Sequence, residues 1–580
     1  MKRITSSLIA ALAAVLTWAQ TPVGAQGTRA YPADCNGLPI SSVQIMISRA
    51  GHTELADSLA LRGFYNAFNL HPGSTFSQAV ADIAMLRIKD NPHVADADYA
   101  LYSPSPGAPV AMVVDIAMLG PDQHKNVNGR EGMAVTRSAR DFPLIYQDSR
   151  SQLSLILNGG VGLFDDVDGF FGQGVALNQG NPIATDPEGT GSRFWGEAFI
   201  EPGIAGIIRL GHPDIYAYGA VSAIISGRNA SDAFSHGGHA YIDFEKLYAG
   251  VLFSGIGPEH NQTINLSAGR QEFQLNDGFL ISRFSGSANA GPRASTYLNS
   301  RRAMHMTAVA KWSSPRFTAE AFYIQPQELT RHAHARVRYA GAYAGYNSAH
   351  FSPGLAFVSR IHGEGDYYLP DGSMLSHKGL LAINPKLYIT DIADTGLFFK
   401  TEYVHEWHTG GGMAANAWYA GLGADLRRMA WTPRVYYRYA FMQGDNPDTK
   451  VYTRYDPVLS GGLAEWVQGM NMCKVVGTGN IITHRVEVQV YPSSKVNLEL
   501  DYYHLRADRL NNVGGAAVLS HLKSKHLGDE VTLQCNWNIN SHFMVLGLVS
   551  FAFPGAGIRD ALPHPVRAWQ TYQLNLFMFF

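Results

Sequence analysis

Residues 485–490 read Arg485-Val486-Glu487-Val488-Gln489-Val490, and residues 496–503 read Val496-Asn497-Leu498-Glu499-Leu500-Asp501-Tyr502-Tyr503. Successive side chains of an extended strand project to opposite faces, so Arg485, Glu487 and Gln489 share one side and the three valines the other. The second segment repeats the pattern: Asn497, Glu499, Asp501 and Tyr503 lie opposite Val496, Leu498, Leu500 and Tyr502. Each run builds one greasy and one hydrophilic surface. The alternation recurs from about Ser151 to the carboxyl end, in short segments separated by Gly, Asn, Asp and Pro. A β-solenoid or a sandwich could carry it with the polar side in bulk water, but a charged face is wrong for a sandwich core.

The two ends of the chain bear on that choice. Lys2 and Arg3 precede an apolar run from Leu8 to Ala19, and Val23-Gly24-Ala25 offers the small residues that a signal peptidase reads. Residues 1–25 are therefore expected to be a signal peptide. No later stretch approaches the roughly 20 apolar residues of a membrane helix. At the other end Tyr572, Leu574, Leu576, Met578 and Phe580 share one face and the chain closes on an aromatic, a pattern that resembles the terminal strand by which outer-membrane barrels are recognised during assembly. Trp407, Trp418, Trp431, Trp537 and Trp569 fall near strand ends, where interfacial girdles would place them. In hydrocarbon every backbone amide must be paired, so amphipathic strands can span only as a closed barrel. The expected fold class is mainly β, with a large antiparallel transmembrane β-barrel over residues 151–580. At roughly 10 residues per strand and as many per connection, about 18 strands fit, within a range of about 16 to 20. Barrels of that size leave an aqueous lumen. The expected location is the outer membrane of a Gram-negative cell.

Composition excludes several classes. Lys+Arg 45 against Asp+Glu 47 gives a net charge of -2, a poor match to nucleic acid. Only 16% of residues are charged and 11% are aromatic, which disfavours disorder. Cys35, Cys473 and Cys535 are odd in number and far apart, so neither a disulfide scaffold nor a paired-cysteine metal site is expected. His405-Glu406-Trp407-His408 places its histidines on opposite faces of a strand, unlike a helical metal-binding pair. No nucleophile elbow, phosphate-binding loop or dinucleotide fingerprint appears, so neither an enzyme nor a cofactor is expected.

Residues 38–119 read differently. Ser42 to Ile47 is a strand, Thr53 to Phe68 a helix, and His71-Pro72-Gly73-Ser74 a turn into a second helix with Phe76, Val80 and Ile83 on one stripe. Strands over Ala97 to Tyr102 and Val110 to Ile116 flank the turn-rich Ser103-Pro104-Ser105-Pro106-Gly107. The expected order is a small α+β domain, β-α-α-β-β. With Leu70-His71-Pro72-Gly73 and Asn91-Pro92-His93-Val94 in place, it resembles a POTRA module, the periplasmic domain that precedes many outer-membrane barrels. That resemblance implies a periplasmic protein partner, docked by adding a strand to a sheet edge. Residues 120–150, polar and carrying Gly129, Arg130, Glu131 and Gly132, read as a linker.

A second resemblance runs from Gly269 to Phe580. Its words are Ala268-Gly269-Arg270-Gln271, Asn276-Asp277-Gly278-Phe279-Leu280-Ile281, Asn289 to Arg293, Tyr439 to Asp445, Tyr455-Asp456-Pro457-Val458-Leu459, Asn480, Tyr491-Pro492 and Tyr502-Tyr503-His504. Leu527-Gly528-Asp529-Glu530, Phe551 to Gly555 and the terminal strand complete them. In this order they resemble the alginate-export barrel family. The resemblance implies a barrel of about 18 strands that conducts a polysaccharide, here expected to be anionic. The partners it implies are a polysaccharide or oligosaccharide, outer-membrane lipid, and the barrel-assembly machinery acting through the strand that ends in Phe580.

Inward charges are the candidate substrate-binding residues. In Arg331 to Tyr339, His332, His334, Arg336 and Arg338 share a face opposite Ala333, Ala335, Val337 and Tyr339. That charged face is expected inward, because an arginine facing lipid at the midplane costs about 2 to 4 kcal/mol. The same reasoning places Arg434, Tyr436, Arg438 and Arg485 inward, and Arg270 of the family motif joins the set. Guanidinium ladders offer paired donors to carboxylates, which suits an anionic chain. Glu402, Glu406, Glu499 and Asp501 are also expected inward, where cross-strand ion pairs would stiffen the wall. The rival reading is a polypeptide translocator or barrel-assembly factor of the two-partner-secretion type, which also joins POTRA to a barrel. That type carries an Arg-Gly-Phe or Arg-Gly-Tyr loop tip inside the barrel, whereas Arg-Gly-Phe occurs here at Arg62-Gly63-Phe64, in the N-terminal domain.

Overall fold

The computed structural model describes residues 28–30, 32–35, 37–49, 52–54, 75, 76, 78, 81, 84, 85, 88, 94–105, 107–118, 144–147 and 151–579. From the last range 179–189, 212–214, 234–235, 259–261, 284–295, 315, 327–335, 347, 349–350, 394, 427–428, 461–465, 494–495, 512, 514, 540–541 and 564 are excepted. The signal peptide, residues 55–73, residues 121–143 and the words Asn289 to Arg293 and Arg62-Gly63-Phe64 lie outside the described residues. The chain forms two compact units, the boundary falling between about residues 120 and 153.

The first unit is a five-stranded sheet in the order β1-β4-β5-β2-β3. Its strands are β1 (Thr28–Ala30), β2 (Ile40–Arg49), β3 (His52–Glu54), β4 (Val94–Ser103) and β5 (Val110–Met118). β2 runs parallel to β5, with Ile45 beside Val114, and β4 pairs antiparallel with β5. Val43, Ile45 and Ile47 recur every second residue and are buried with Val110, Met112, Val114 and Ile116. Phe76, Ala81, Ala84, Met85 and Ile88 complete that core, and the last four recur at helical spacing. The expected stripe ran through Val80 and Ile83, which lie outside the described residues. The helix expected from Thr53 does not begin there: His52–Glu54 is a strand pairing with the end of β2.

Leu144–Gln147, expected from the sequence to be linker, forms the short strand β6 at the boundary of the two units. Eighteen long strands follow and close into an antiparallel barrel. The first nine are β7 (Ser151–Val167), β8 (Ser192–Arg209), β9 (Ile215–Arg228), β10 (His239–Ile256), β11 (Gln262–Arg270), β12 (Met306–Ser313), β13 (Phe317–Gln325), β14 (Arg338–Tyr346) and β15 (Phe351–His362). A small hairpin outside the ring, β16 (Asp366–Tyr368) with β17 (Met374–Ser376), precedes the second nine. These are β18 (Leu380–Ile392), β19 (Leu397–His408), β20 (Ala414–Asp425), β21 (Arg434–Met442), β22 (Ile481–Ser493), β23 (Val496–Ala507), β24 (His526–Asn538), β25 (Phe543–Pro554) and β26 (Trp569–Phe579). β26 closes on β7, with Leu574 opposite Leu163. In the antiparallel ring β12, β18 and β22 finish at one end, where the connections to the next strand are short, and β7, β11, β21 and β23 finish at the other, where they are long. In outer-membrane barrels the short turns face the periplasm and the long loops the exterior.

The alternation that decided the fold holds. Val486, Leu500, Leu533 and Leu574 are 37%, 45%, 51% and 55% exposed on the outside, while Glu487, Asp501, Thr532 and Gln573 are buried. Trp418, Trp431 and Trp537 are exposed as a girdle needs. Trp569 is not: it is fully buried, its ring 4.5 Å from that of Phe170. Tyr572 and Leu574 occupy the outer face of β26, so strict alternation turns Trp569 inward.

The interior departs from a simple water-filled lumen. Long loops fold back into the barrel and carry Phe279, Leu280, Ile281, Trp466, Met472, Leu519 and Ile558 into an apolar core. Val309, Phe322, Ile324, Val404, Tyr419 and Leu505 meet them from the wall. At those positions the inner face is apolar because it packs on a loop instead of on water, and around Val309 and Phe322 both faces of the strand are apolar.

Candidate functional site: a loop-constricted lumen

Glutamates on the inner wall hold the loops inside. Glu530 accepts hydrogen bonds from the backbone amides of Met470, Asn471 (3.0 Å) and Met472 (2.8 Å), and from the Ser550 hydroxyl (3.0 Å). Glu245 accepts from the amides of Arg302 (2.6 Å) and Ala303 (2.7 Å), and Glu197 from those of Tyr297 (2.9 Å) and Leu298 (3.1 Å). Glu406 accepts from the amide of Asp456 at 2.9 Å, and Glu402 from the side-chain amide of Asn384 at 3.0 Å and the Tyr388 hydroxyl at 2.6 Å. Asn384 in turn accepts from Asn276 at 3.1 Å. The loops also hold each other, Trp466 Nε1 donating to Asp277 at 3.0 Å and Ser282 N to Leu459 O at 3.1 Å, while from the wall the Tyr419 hydroxyl donates to Asp277 at 2.9 Å. The sequence predicts Glu402 and Glu406 inward as wall-stiffening acids; in the structure Glu406 grips a loop directly, and Glu402 does so both through Asn384 and by accepting from Asn276 Nδ2 at 3.4 Å.

Toward the short-turn end lies a wall of cations and aromatic rings. The structure brings Arg434, Tyr436, Arg438 and Arg485 together there: Arg438 pairs in register with Arg485, Tyr436 with Glu487 and Arg434 with Gln489. Lys386, Tyr388, Phe398 and Lys400 from β18 and β19 extend the patch. Arg438 lies 4.0 Å over the Trp466 ring, Lys386 4.4 Å over Tyr388 and Arg434 4.7 Å over Phe398. Gly421 and Gly423 make room, since a Cβ there would collide with the rings of Tyr436 and Phe398. Arg485 is fully committed, to Asp501 (2.7 Å), Glu487 (2.7 Å) and Glu499 (3.1 Å), and Arg434 pairs with Asp425 at 3.1 Å. Arg438 and Lys386 differ. Arg438 Nε and Nη2 and Lys386 Nζ are buried without a hydrogen-bond partner among the described residues.

Lys386, Lys400, Phe398 and Trp466 escaped the sequence reading. Pro385 interrupts the pattern of β18 and disguises it as an edge segment. In β19 the alternation of Phe398, Lys400 and Glu402 is a usable signal, blurred by Phe399 and Thr401 between them.

The remaining candidates sit elsewhere. Arg270, eight strands round the ring from β21, shares Asp243 with Arg301 at 3.0 and 3.4 Å, and so belongs to the anchoring of loop 271–305. His332 and His334 lie outside the described residues. At β14 the expected faces are reversed: Val337 and Tyr339 are buried in the interior core, Arg336 is exposed with φ 41, and Arg338 is half-buried at the strand end. The loop core at that level rewards apolar groups inside, and the strand end lets arginine reach water. Cys35, Cys473 and Cys535 form no disulfide among the described residues, and burial pushes the Cys473 thiol up to about 12, so it stays protonated.

A closed antiparallel barrel with an apolar outer face and a loop-constricted lumen defines an outer-membrane channel. Residues 222–568 match the family described as alginate export, and the chain belongs to that family. Among solved structures it is similar to Salmonella typhi OmpF in complex with daunomycin (12% identity, TM-score 0.37, covering 76% of this chain and 100% of that one). It is also similar to Acinetobacter baumannii OccAB4 (11% identity, TM-score 0.46, 75% and 99%) and to Vibrio cholerae OmpT (9% identity, TM-score 0.34, 76% and 100%). No curated protein matches the chain.

Proposed function

We propose that the barrel conducts an anionic polysaccharide across the outer membrane, and that Arg438 and Lys386 form the constriction-side contact for its carboxylates. The observation that carries this reading is their buried, unpartnered nitrogens beside aromatic faces. Burying a cationic nitrogen without a hydrogen-bonding partner is unfavourable, even at Lys386 with Glu402 opposite it on the next strand, and a carboxylate guest would relieve it. Aromatic rings such as Tyr388, Tyr436 and Tyr503 offer sugar rings an apolar face, while the committed Arg485 keeps the wall in shape. Family membership favours this reading over a polypeptide translocator. The N-terminal sheet, with short strands β1 and β3 at its edges, would sit in the periplasm and receive a protein partner by strand addition. The amphipathic strand β26, with Tyr572, Leu574 and Leu576 exposed on its outer face, would be read by the assembly machinery.

The test is ion selectivity and block in planar bilayers. Wild-type protein is expected to be blocked by an oligouronate such as an alginate oligosaccharide. Charge reversal of Arg438→Glu with Lys386→Glu is expected to move the reversal potential toward cation preference and to weaken block at least tenfold. Unchanged selectivity and block in the double variant would remove these two residues from the permeation path.

A further inference from the structure

Outside the lumen, one row of residues crosses five adjacent strands in register: Tyr439, His484, His504, Asp529 and Phe553. It lies on the outer face, since Tyr437, Tyr502 and Phe553 are 43%, 41% and 48% exposed. It lies near the long-loop end, where β23 stops at Ala507 and β24 starts at His526. Within it His504 Nδ1 is 2.8 Å from Asp529 Oδ1, and His526 Nε2 is 2.9 Å from Asp529 Oδ2. The rings of His504 and His526 stack at 5.0 Å, and the donor atoms of the three residues all lie within 4.8 Å of one another. The Tyr502 hydroxyl donates to Asp529 Oδ1 at 2.7 Å, which orients the carboxylate from outside the trio.

We infer that His504, His526 and Asp529 form a binding site for a first-row transition-metal dication of the zinc class, on the outward face of the barrel. Two imidazole nitrogens and a carboxylate oxygen are the donor set such ions use, and three protein ligands leave a fourth position open. Metal bonds of about 2.0 to 2.2 Å hold neighbouring donors roughly 3.3 Å apart, so the imidazoles would retreat from the carboxylate by only about 0.5 Å. The strands fix the geometry in advance: His504 and Asp529 are direct cross-strand partners, and a register shift beside Arg506 brings His526 round to the same carboxylate. Tyr502 plays the outer-shell part that holds a ligating carboxylate in place. The open position points away from the barrel wall, toward water or a headgroup oxygen. His484, 5.9 Å from His504 ring to ring, instead pairs with the Tyr437 hydroxyl at 2.8 Å and stays outside the donor set. The ion would tie β23 to β24 at the base of loop 508–525.

The test uses the full chain without a histidine tag, purified in detergent, stripped with chelator and titrated calorimetrically with zinc chloride. One equivalent is expected to bind with micromolar affinity, with nickel competing and chelator reversing it. His504→Gln, His526→Gln and Asp529→Asn should each weaken binding at least tenfold, and His484→Gln should leave it unchanged. Retention of heat-modifiable migration on gels confirms that each variant still forms a barrel. X-ray absorption on the wild-type zinc complex, independent of any variant, should show two imidazole ligands with oxygen. No stoichiometric uptake by the wild type, full uptake by the His504→Gln/His526→Gln double variant, or an all-oxygen shell would each overturn the site.

Discussion

Replacing Glu530 by alanine should widen the conductance of single channels several-fold and lower the melting temperature. Glu530 is fully buried and is the shared acceptor for three consecutive loop amides, Met470 to Met472, and for the hydroxyls of Thr532 and Ser550. Each buried amide left without an acceptor costs about 1 to 3 kcal/mol. With three stranded at once, staying inside becomes less favourable for the segment than moving into water. Its departure would uncover Trp466 and Arg438 and remove part of the apolar plug. Glu530→Gln retains one carbonyl oxygen as acceptor, so its conductance should fall between those of wild type and Glu530→Ala. The measurement is the conductance histogram in planar bilayers, paired with thermal unfolding in micelles. A histogram for Glu530→Ala that superimposes on the wild type would show that the segment is held by its apolar contacts alone.

The anchors explain why a channel keeps so many acids on its inner wall. An ion pair can stiffen a wall, as Arg485 does with its three carboxylates. An acid that instead accepts loop amides converts the wall into a mould for the constriction. Glu197, Glu245, Glu406 and Glu530 each do so from a different strand. Their distribution round the ring lets separate loops, 271–305 and 443–480, meet in one core.

The barrel was legible in the sequence because its signal has period 2 and repeats strand after strand. Val486 against Glu487 settles a face with no knowledge of distant residues. The same parity placed Arg434, Tyr436, Arg438 and Arg485 on one wall. What was not legible depends on contacts far apart in the chain. Glu530 meets Met472 across 58 positions, and Asp277 meets Trp466 across 189. Nothing local in Asn276-Asp277-Gly278-Phe279-Leu280-Ile281 says that this turn folds inward, and apolar inner positions such as Phe322 blur the polar half of the alternation. Arg338 was assigned inward by the cost of arginine in lipid. That cost applies at the midplane, and Arg338 begins its strand beside a register shift, where the alternation carries least information.

An arginine placed at Leu500 should destabilise the barrel by about 2 to 4 kcal/mol, whereas one placed at Gln489 should cost less than about 1 kcal/mol. Leu500 lies near the middle of β23, 45% exposed, with Val488 and Leu533 as its cross-strand neighbours. A guanidinium there meets hydrocarbon on its open side and apolar groups on both flanks. Gln489 is one strand away on the opposite face, 3.0 Å from the Glu499 carboxylate, so a guanidinium there gains a charged partner and contact with water that offset the like charge of Arg434 opposite it, itself paired with Asp425. The pair isolates face from residue type, because the same side chain is added to neighbouring strands at similar depth. Reversible urea unfolding in lipid vesicles reads the difference directly, and the unfolded reference is nearly common to both variants. Equal losses for the two substitutions would mean that Leu500 does not face lipid, and the assignment of outer and inner surfaces along β22 and β23 would have to be exchanged.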